Sequence, residues 1–207
     1  MLSAMSGPRP LHRDDLDPDP IAAFHAWFQA ARAAGIAAPE AAALATATPD
    51  GVPSCRMVLI KQVDARGFVF FTNYASRKGR ELAANPRAAL LLFWESLERQ
   101  VRIEGAIARV TREESVAYAH SRARASQLSA LASAQSRPIA HRSELERRVA
   151  ELDAEHRGEV PVAEEWGGLR LAPERLEFWQ GGPARLHDRF VYEPVAGGGW
   201  TITRLQP

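Results

Sequence analysis

The sequence is short of cysteine, of charge of one sign and of long apolar runs, and each shortage removes a class of protein. Cys55 is the only cysteine among 207 residues, so neither a disulfide within the chain nor a cysteine-built zinc site can form. A lone thiol fits a reducing compartment. Lys and Arg number 26 against 25 Asp and Glu, a formal charge of +1. A general nucleic-acid binder needs a basic face from which counterions are released, and this balance does not provide one. No apolar run approaches the roughly 20 residues that cross a bilayer. Met1 to Asp19 carries Pro, Arg and Asp where a signal peptide has an apolar centre. The expectation is a cytoplasmic protein with no membrane or nucleic-acid partner and no metal.

What is present is an ordinary globular composition, 46% apolar and 25% charged, with length enough for one domain and a sizeable core. Residues 1–18, rich in Pro and Asp and without apolar periodicity, are expected to be a flexible N-terminal segment. Asp19 and Pro20 have the N-cap and first-residue chemistry of a helix. Ile21, Phe24, Trp27, Phe28 and Ala31 continue it at helical spacing, and Gly35 stops it. From Ala41 the period changes to that of strands: Ala41 to Thr48, Val52 to Val63, Gly67 to Thr72, Ala88 to Trp94 and Arg99 to Val110, separated by turns such as Pro49-Asp50-Gly51. A short helix over Arg77 to Ala84 interrupts them. Thr111 with Glu114 and Ser143 with Glu146 have capping-box spacing for two further helices. Between these lies a helical stretch from Ser126 to Gln135. Strands return at Trp166 to Leu171, Arg175 to Gln180, Arg189 to Glu193 and Trp200 to Arg204. Many short strands at regular turns favour an antiparallel barrel over a parallel sheet. The expected architecture is α+β, with residues 19–207 as a single domain.

Four groups of residues could carry chemistry. In Arg56-Met57-Val58-Leu59-Ile60-Lys61, strand alternation sends Arg56 and Lys61 to opposite faces; a strand with solvated ends is the plain alternative. Ser76-Arg77-Lys78 puts two cations at a helix start, where the helix dipole disfavours them unless an anion is bound. Tyr118, Arg122 and Ser126, four apart, fall on one helical stripe. Phenol, guanidinium and hydroxyl together suit a phosphate monoester, although a wetted polar face has the same pattern. Phe178-Trp179-Gln180-Gly181-Gly182-Pro183 leads into Arg185-Leu186-His187-Asp188-Arg189. If the second half is extended, Arg185, His187 and Arg189 share one face, where they repel without an anionic or aromatic partner. Trp179 and Arg185 could then lie against a planar ring.

Together these residues resemble the pyridoxine/pyridoxamine 5′-phosphate oxidase family. The run Phe178 to Arg189 is similar to its C-terminal signature. Arg56 to Lys61, Thr72 with Ser76-Arg77-Lys78, Glu98 to Val101, Tyr118 to Ser126, and Gln135-Ser136 follow in that family's order, from about residue 17 to the C-terminus. The resemblance implies an antiparallel, Greek-key-like split β-barrel with peripheral helices, of the FMN-binding type, forming a homodimer with FMN at the subunit interface. It implies oxidation of pyridoxine or pyridoxamine 5′-phosphate to pyridoxal 5′-phosphate by dioxygen, with release of hydrogen peroxide, and of ammonia from the amine. Arg56, Met57, Val58, Leu59, Ile60 and Lys61 would run beside the flavin, with Phe71 and Thr72 in the same cofactor site. Arg77 and Lys78 would hold the FMN phosphate, joined by Gln135 and Ser136 from the same or the other subunit. Gln100, Trp179 and Arg189 would also contact the flavin. Lys61, Tyr118, Arg122 and Ser126 would bind the substrate phosphate, and Arg185 and His187 would close over the substrate ring as the catalytic pair.

Two features depart from the family pattern. Phe71 stands where many relatives have Tyr, and no Arg/Tyr pair that would cover the substrate is evident before Asp17. Two rival functions remain: a same-fold flavin oxidase acting on another substrate, as in phenazine biosynthesis, and a non-catalytic module that binds FMN or pyridoxal phosphate. Lys61 with Tyr118, Arg122 and Ser126 favours a phosphorylated substrate over the first.

Overall fold

A computed structural model describes residues 9–207. Helix α1 (Pro20–Ala33) begins where expected, with the Asp19 carboxylate accepting from the Ile21 N–H at 2.9 Å. Strands β1 (Ala41–Ala47), β2 (Pro53–Leu59), β3 (Gln62–Asp64) and β4 (Gly67–Asn73) follow, then helix α2 (Arg77–Ala84). Next come β5 (Arg87–Trp94), β6 (Arg99–Arg109), and helices α3 (Arg112–Ser121), α4 (Arg124–Ala132) and α5 (Arg142–Glu155). Strands β7 (Trp166–Gln180), β8 (Asp188–Pro194) and β9 (Trp200–Leu205) complete the chain.

All strand pairings are antiparallel, in the order β2-β1-β5-β6-β7-β4-β3, with β8 joined to β7 and β9 to β8. Strand β7 explains how this sheet becomes a split barrel. It pairs with β6 along its length, but its other edge pairs first with β4 and then with β8. A register shift opposite Glu104 and Gly105 lets the strand bend between the two partners. The two strands expected over Trp166 to Leu171 and Arg175 to Gln180 are thus the two halves of one. The reverse holds for Val52 to Val63, which breaks after Leu59: Ile60 N–H bonds to the Glu40 carbonyl and Lys61 N–H to that of Val69, so the chain passes from one neighbour to another.

The inner face of the sheet packs on α1. Phe24 meets Phe68 edge to face at 4.9 Å between centroids, and Trp27 meets Phe178 at 5.1 Å. Each such buried aromatic contributes about 2–3 kcal/mol by removal from water. The outer face is different. Met57 and Phe93 remain 64% and 55% exposed, with Leu59 nearby in β2.

Three local expectations change. Residues 1–8 lie outside the described residues, but residues 9–18 are not a loose segment: Leu11 and Leu16 are buried and backbone groups bond to β8 and β9. The capping residue of α5 is His141, whose N–H donates to Glu144 at 3.2 Å, and not Ser143. The single helical stripe Tyr118-Arg122-Ser126 does not form, because the chain turns extended at Arg122 and restarts as α4.

Candidate active site

A cavity of about 550 Å³ opens between β2, β4, the start of α2, and α3–α4. Eleven of the residues singled out in the sequence line it: Met57, Val58, Leu59, Lys61, Phe71, Thr72, Lys78, Tyr118, Arg122, Ser126 and Gln135. The break at Arg122 does not disperse Tyr118, Arg122 and Ser126, since α3 and α4 meet at this wall.

One cationic group is built on the start of α2. Ser76 caps the helix by accepting from the Gly79 N–H. The ammonium of Lys78 donates to Gln135 Oε1 at 2.9 Å, Thr72 Oγ1 at 3.2 Å and Ser76 Oγ at 3.4 Å. All three acceptors are neutral, and among the described residues no carboxylate pairs with this charge. Burial, and then the nearby Arg56 guanidinium, push the Lys78 pKa down. Ser136 Oγ accepts from the Arg77 N–H at 3.2 Å. Gln135 and Ser136 therefore reach the helix start from the same chain.

A buried carboxylate underlies this group. Glu81, 6% exposed, accepts from Thr46 at 2.5 Å, Ser54 at 2.6 Å, Arg56 at 3.2 Å and Arg77 at 2.8 Å. Burial raises its pKa, but the hydrogen bonds from Ser54, Thr46 and Arg77 outweigh that and hold it down to about 2. Arg56 is turned toward this carboxylate and away from the cavity wall, so the β2 residues that line the cavity are Met57, Val58 and Leu59. Ile60 is buried in the core.

The second cationic group is Arg122. Its guanidinium lies 5.1 Å from the centroid of Trp166, and Trp166 is parallel to Tyr118 within 3°. Phe71 stacks on Tyr118 at 3.7 Å. Burial pushes the Tyr118 phenol pKa up, with the Arg122 charge opposing. Lys61 is partly occupied by Glu40 at 3.4 Å.

The remaining residues form another group. Gln100, Trp179 and Arg189 sit side by side in the register of β6, β7 and β8. Arg189 donates to the buried Glu177 at 2.7 Å and to the Gln206 carbonyl at 2.9 Å. The loop after β7 is not extended as expected. Pro183–Arg185 form a 3-10 turn, with Ala184 and Arg185 at φ of 52° and 65°, and strand β8 starts only at Asp188. His187 packs 4.7 Å from Trp179, and its Nδ1 accepts from the Gly182 N–H at 3.1 Å. That bond places the proton of a neutral ring on Nε2. Neither Arg185 nor His187 lines the cavity of its own chain.

Sequence reasoning did not single out Trp166 or Glu81. Trp166 reads as a strand-opening aromatic until the fold sets it against Arg122. Arg77 and Glu81 at i,i+4 spacing did carry a readable signal.

Residues 28–156 match the family model described as pyridoxamine 5′-phosphate oxidase, and residues 166–207 match that of the pyridoxine 5′-phosphate oxidase C-terminal dimerisation region. The pyridoxine/pyridoxamine 5′-phosphate oxidase of Rubrobacter xylanophilus is 57% identical over 198 residues, 95% of this chain and 91% of that one. The enzyme of the same name from Paraburkholderia phymatum is 53% identical, covering 93% and 91%. The crystal structure of PhzG from Burkholderia lata, in complex with tetrahydrophenazine-1-carboxylic acid, matches with a TM-score of 0.91 at 35% identity, covering 98% of this chain and 100% of that one. A pyridoxamine 5′-phosphate oxidase-related, FMN binding protein from Nostoc punctiforme shares the fold, with a TM-score of 0.74 at 16% identity over 91% of this chain and 98% of its own.

Proposed function

Since the chain belongs to the pyridoxamine 5′-phosphate oxidase family, we propose that it oxidises pyridoxine 5′-phosphate and pyridoxamine 5′-phosphate to pyridoxal 5′-phosphate, with FMN as cofactor. The alcohol and dioxygen give the aldehyde and hydrogen peroxide; the amine, dioxygen and water give the aldehyde, ammonia and hydrogen peroxide. The observation that carries this reading is that one cavity has two cations without carboxylate partners among the described residues: Lys78, held by neutral hydrogen-bond acceptors, and Arg122, lying over the Trp166 ring. Two phosphates, one on the cofactor and one on the substrate, account for both.

The residues present fit FMN. A phosphate is matched by Lys78, the start of α2, Gln135 and Ser136, and a flat apolar ring by the strip Met57-Val58-Leu59. Bound there, FMN supplies the acceptance of two electrons and their delivery to dioxygen. The protein contributes placement. Arg122, Tyr118, Ser126 and Lys61 bind the substrate phosphate, and Phe71 and Trp166 support them by stacking. Thr72 and Lys78 fix the cofactor end.

The protein works as a homodimer, and the exposed Met57, Leu59 and Phe93 give the outer sheet face an apolar band for the contact. Arg185 and His187, outside the cavity wall of their own chain, serve the cavity of the second copy. With them go Gln100, Trp179 and Arg189. Arg185 covers the substrate ring, and His187 presents its Nε2 proton as a donor. The oxidase unit is a single domain into which residues 9–18 also pack, and no described helix is long and apolar enough to cross a membrane. We place it in the cytoplasm, where the exposed thiol of Cys55 stays reduced.

The likeness to PhzG supports a second reading, oxidation of an unphosphorylated tricycle; the Arg122 group favours the phosphorylated substrate. The purified flavoprotein separates them. Anaerobic pyridoxine 5′-phosphate is expected to bleach the flavin band, and in air each aldehyde formed should accompany one peroxide. A flavin that this compound cannot reduce, but a reduced phenazine precursor can, would overturn the proposal. A flavin that neither reduces would leave a binding module.

A further inference from the structure

Residues 9–17 add no strand to the sheet, yet they are tied to one place. The Leu11 N–H donates to Asp188 Oδ2 at 2.8 Å, and the Leu11 carbonyl accepts from Arg204 at 2.8 Å. The side-chain amide of Gln180 donates to the Arg9 carbonyl. The Tyr192 hydroxyl donates to the Asp17 carbonyl at 2.8 Å. Between these points the segment folds on itself, with Asp15 accepting from the His12 N–H at 2.8 Å. Leu11 and Leu16 are only 4% and 3% exposed. This is a strap held by its backbone and by two apolar anchors.

The residues it grips are informative. Gln180 and Asp188 are paired partners in the register of β7 and β8. They are the two posts of the loop 181–187, which carries Arg185 and His187. The loop itself is strained and tight. Ala184 and Arg185 occupy left-handed backbone that residues with a side chain rarely adopt. A Cβ on Gly182 would lie 2.2 Å from the Leu186 carbonyl oxygen. Such a conformation persists only where its surroundings over-determine it. Here one post is fixed by Gln180, whose Oε1 also accepts from Arg99 at 3.0 Å. The other is fixed by Asp188, which accepts from both Leu11 and Arg204.

We infer that residues 9–17 form a positioning strap, acting through Gln180 and Asp188, which holds the loop so that Arg185 and His187 are aimed at the substrate ring. The strap lies outside the cavity wall. It acts on orientation, where a small misplacement has a large effect on rate. The inference rests on the assignment of Arg185 and His187 under Proposed function.

The test uses the full-length flavoprotein and three variants: Asp188→Asn, a chain lacking residues 1–11, and Arg185→Ala. For each, kcat and KM for pyridoxine 5′-phosphate, the FMN dissociation constant and the melting temperature are measured. The expected result is a fall in kcat of about tenfold or more for Asp188→Asn and for the shortened chain. FMN affinity should stay at the wild-type value, and adding Asp188→Asn to the shortened chain should cost little more, since that chain has already lost the Leu11 contact to Asp188 and the Arg9 contact to Gln180. Wild-type kcat in both variants, with Arg185→Ala impaired, would overturn the strap and leave the function standing. Wild-type kcat in Arg185→Ala would remove the assignment on which the strap depends, and the strap with it. Parallel losses of kcat, FMN affinity and melting temperature would reduce these contacts to structural ones and also overturn the inference. A shortened chain that does not fold leaves Asp188→Asn to decide by the same criteria.

Discussion

Lys78 is enclosed by Thr72, Ser76 and Gln135, with the start of α2 behind it and Glu81 holding Arg56 and Arg77 alongside. Arg185 is exposed on a turn of left-handed backbone, outside the cavity wall. The first region is assembled within one chain, with its charges placed by secondary structure. The second is a presented group whose orientation depends on the posts of its loop. On the proposed assignment, binding and turnover are separable: anchoring belongs to the cavity wall, and coverage of the reacting ring to the loop.

The sharpest way to break that division is to truncate one cation in each region. Arg185→Ala should lower kcat for pyridoxine 5′-phosphate by about a hundredfold, through lost orientation, with the FMN dissociation constant changed by less than about threefold on the scale of neutral contacts. Lys78→Ala should do the opposite. It removes a charged hydrogen bond to phosphate, about 1.5–3 kcal/mol, or roughly tenfold to a hundredfold in FMN affinity. At saturating FMN its kcat should approach that of the wild type. Titration of apoprotein by flavin fluorescence, beside steady-state rates, gives both numbers. Equal loss of both properties in both variants would end the comparison.

The two regions were also unequally legible in the sequence. Cations at a helix start and apolar residues at strand spacing are local signals, so Arg77, Lys78 and the strip Met57-Val58-Leu59 could be read as they stand. Tyr118, Arg122 and Ser126 were grouped for a reason that fails, a continuous helix. They still share the cavity because α3 and α4 pack on the same wall. Alternating Arg185, His187 and Arg189 look like a strand face, so the sequence predicts an extended loop. The Gly182 contact and the turn at Pro183 decide otherwise, and no periodicity reports a left-handed Arg. The N-terminal segment lacked apolar periodicity because it docks through backbone groups and two isolated leucines.

The support beneath the cavity wall gives a pH signature that the loop does not share. Glu81 has a folded-state pKa of about 2 against an ordinary 4.5. A depressed carboxyl contributes stability that is complete above 4.5 and is lost as pH falls toward 2. Glu81→Gln should therefore cost about 2 kcal/mol near neutrality, as a buried charged acceptor is lost. It should also flatten the acid limb of the stability curve within that window. Denaturant melts of both proteins at pH 7 and at several values below 4.5 check this. An unchanged acid limb in the variant would show that other carboxylates govern it, and that Glu81 is not what holds Arg56 and Arg77.

The smallest effect tests how the cavity wall aims its second cation. Trp166 touches Arg122 through its ring face and lies parallel to Tyr118. A cation over an indole contributes about 0.5–1 kcal/mol at a partly exposed site, which corresponds to roughly twofold to fivefold in affinity. Trp166→Leu keeps an apolar side chain at the start of β7 but removes the ring face. It should raise KM for pyridoxine 5′-phosphate by that factor and weaken inhibition by inorganic phosphate to the same degree. Both kcat and FMN affinity should hold, because neither Lys78 nor the loop 181–187 contacts this ring in the same chain. Trp166→Phe restores a weaker ring face and should recover part of the loss. A drop in kcat with unchanged KM would instead tie Trp166 to ring coverage, and the boundary between the anchoring and covering regions would have to be redrawn through β7.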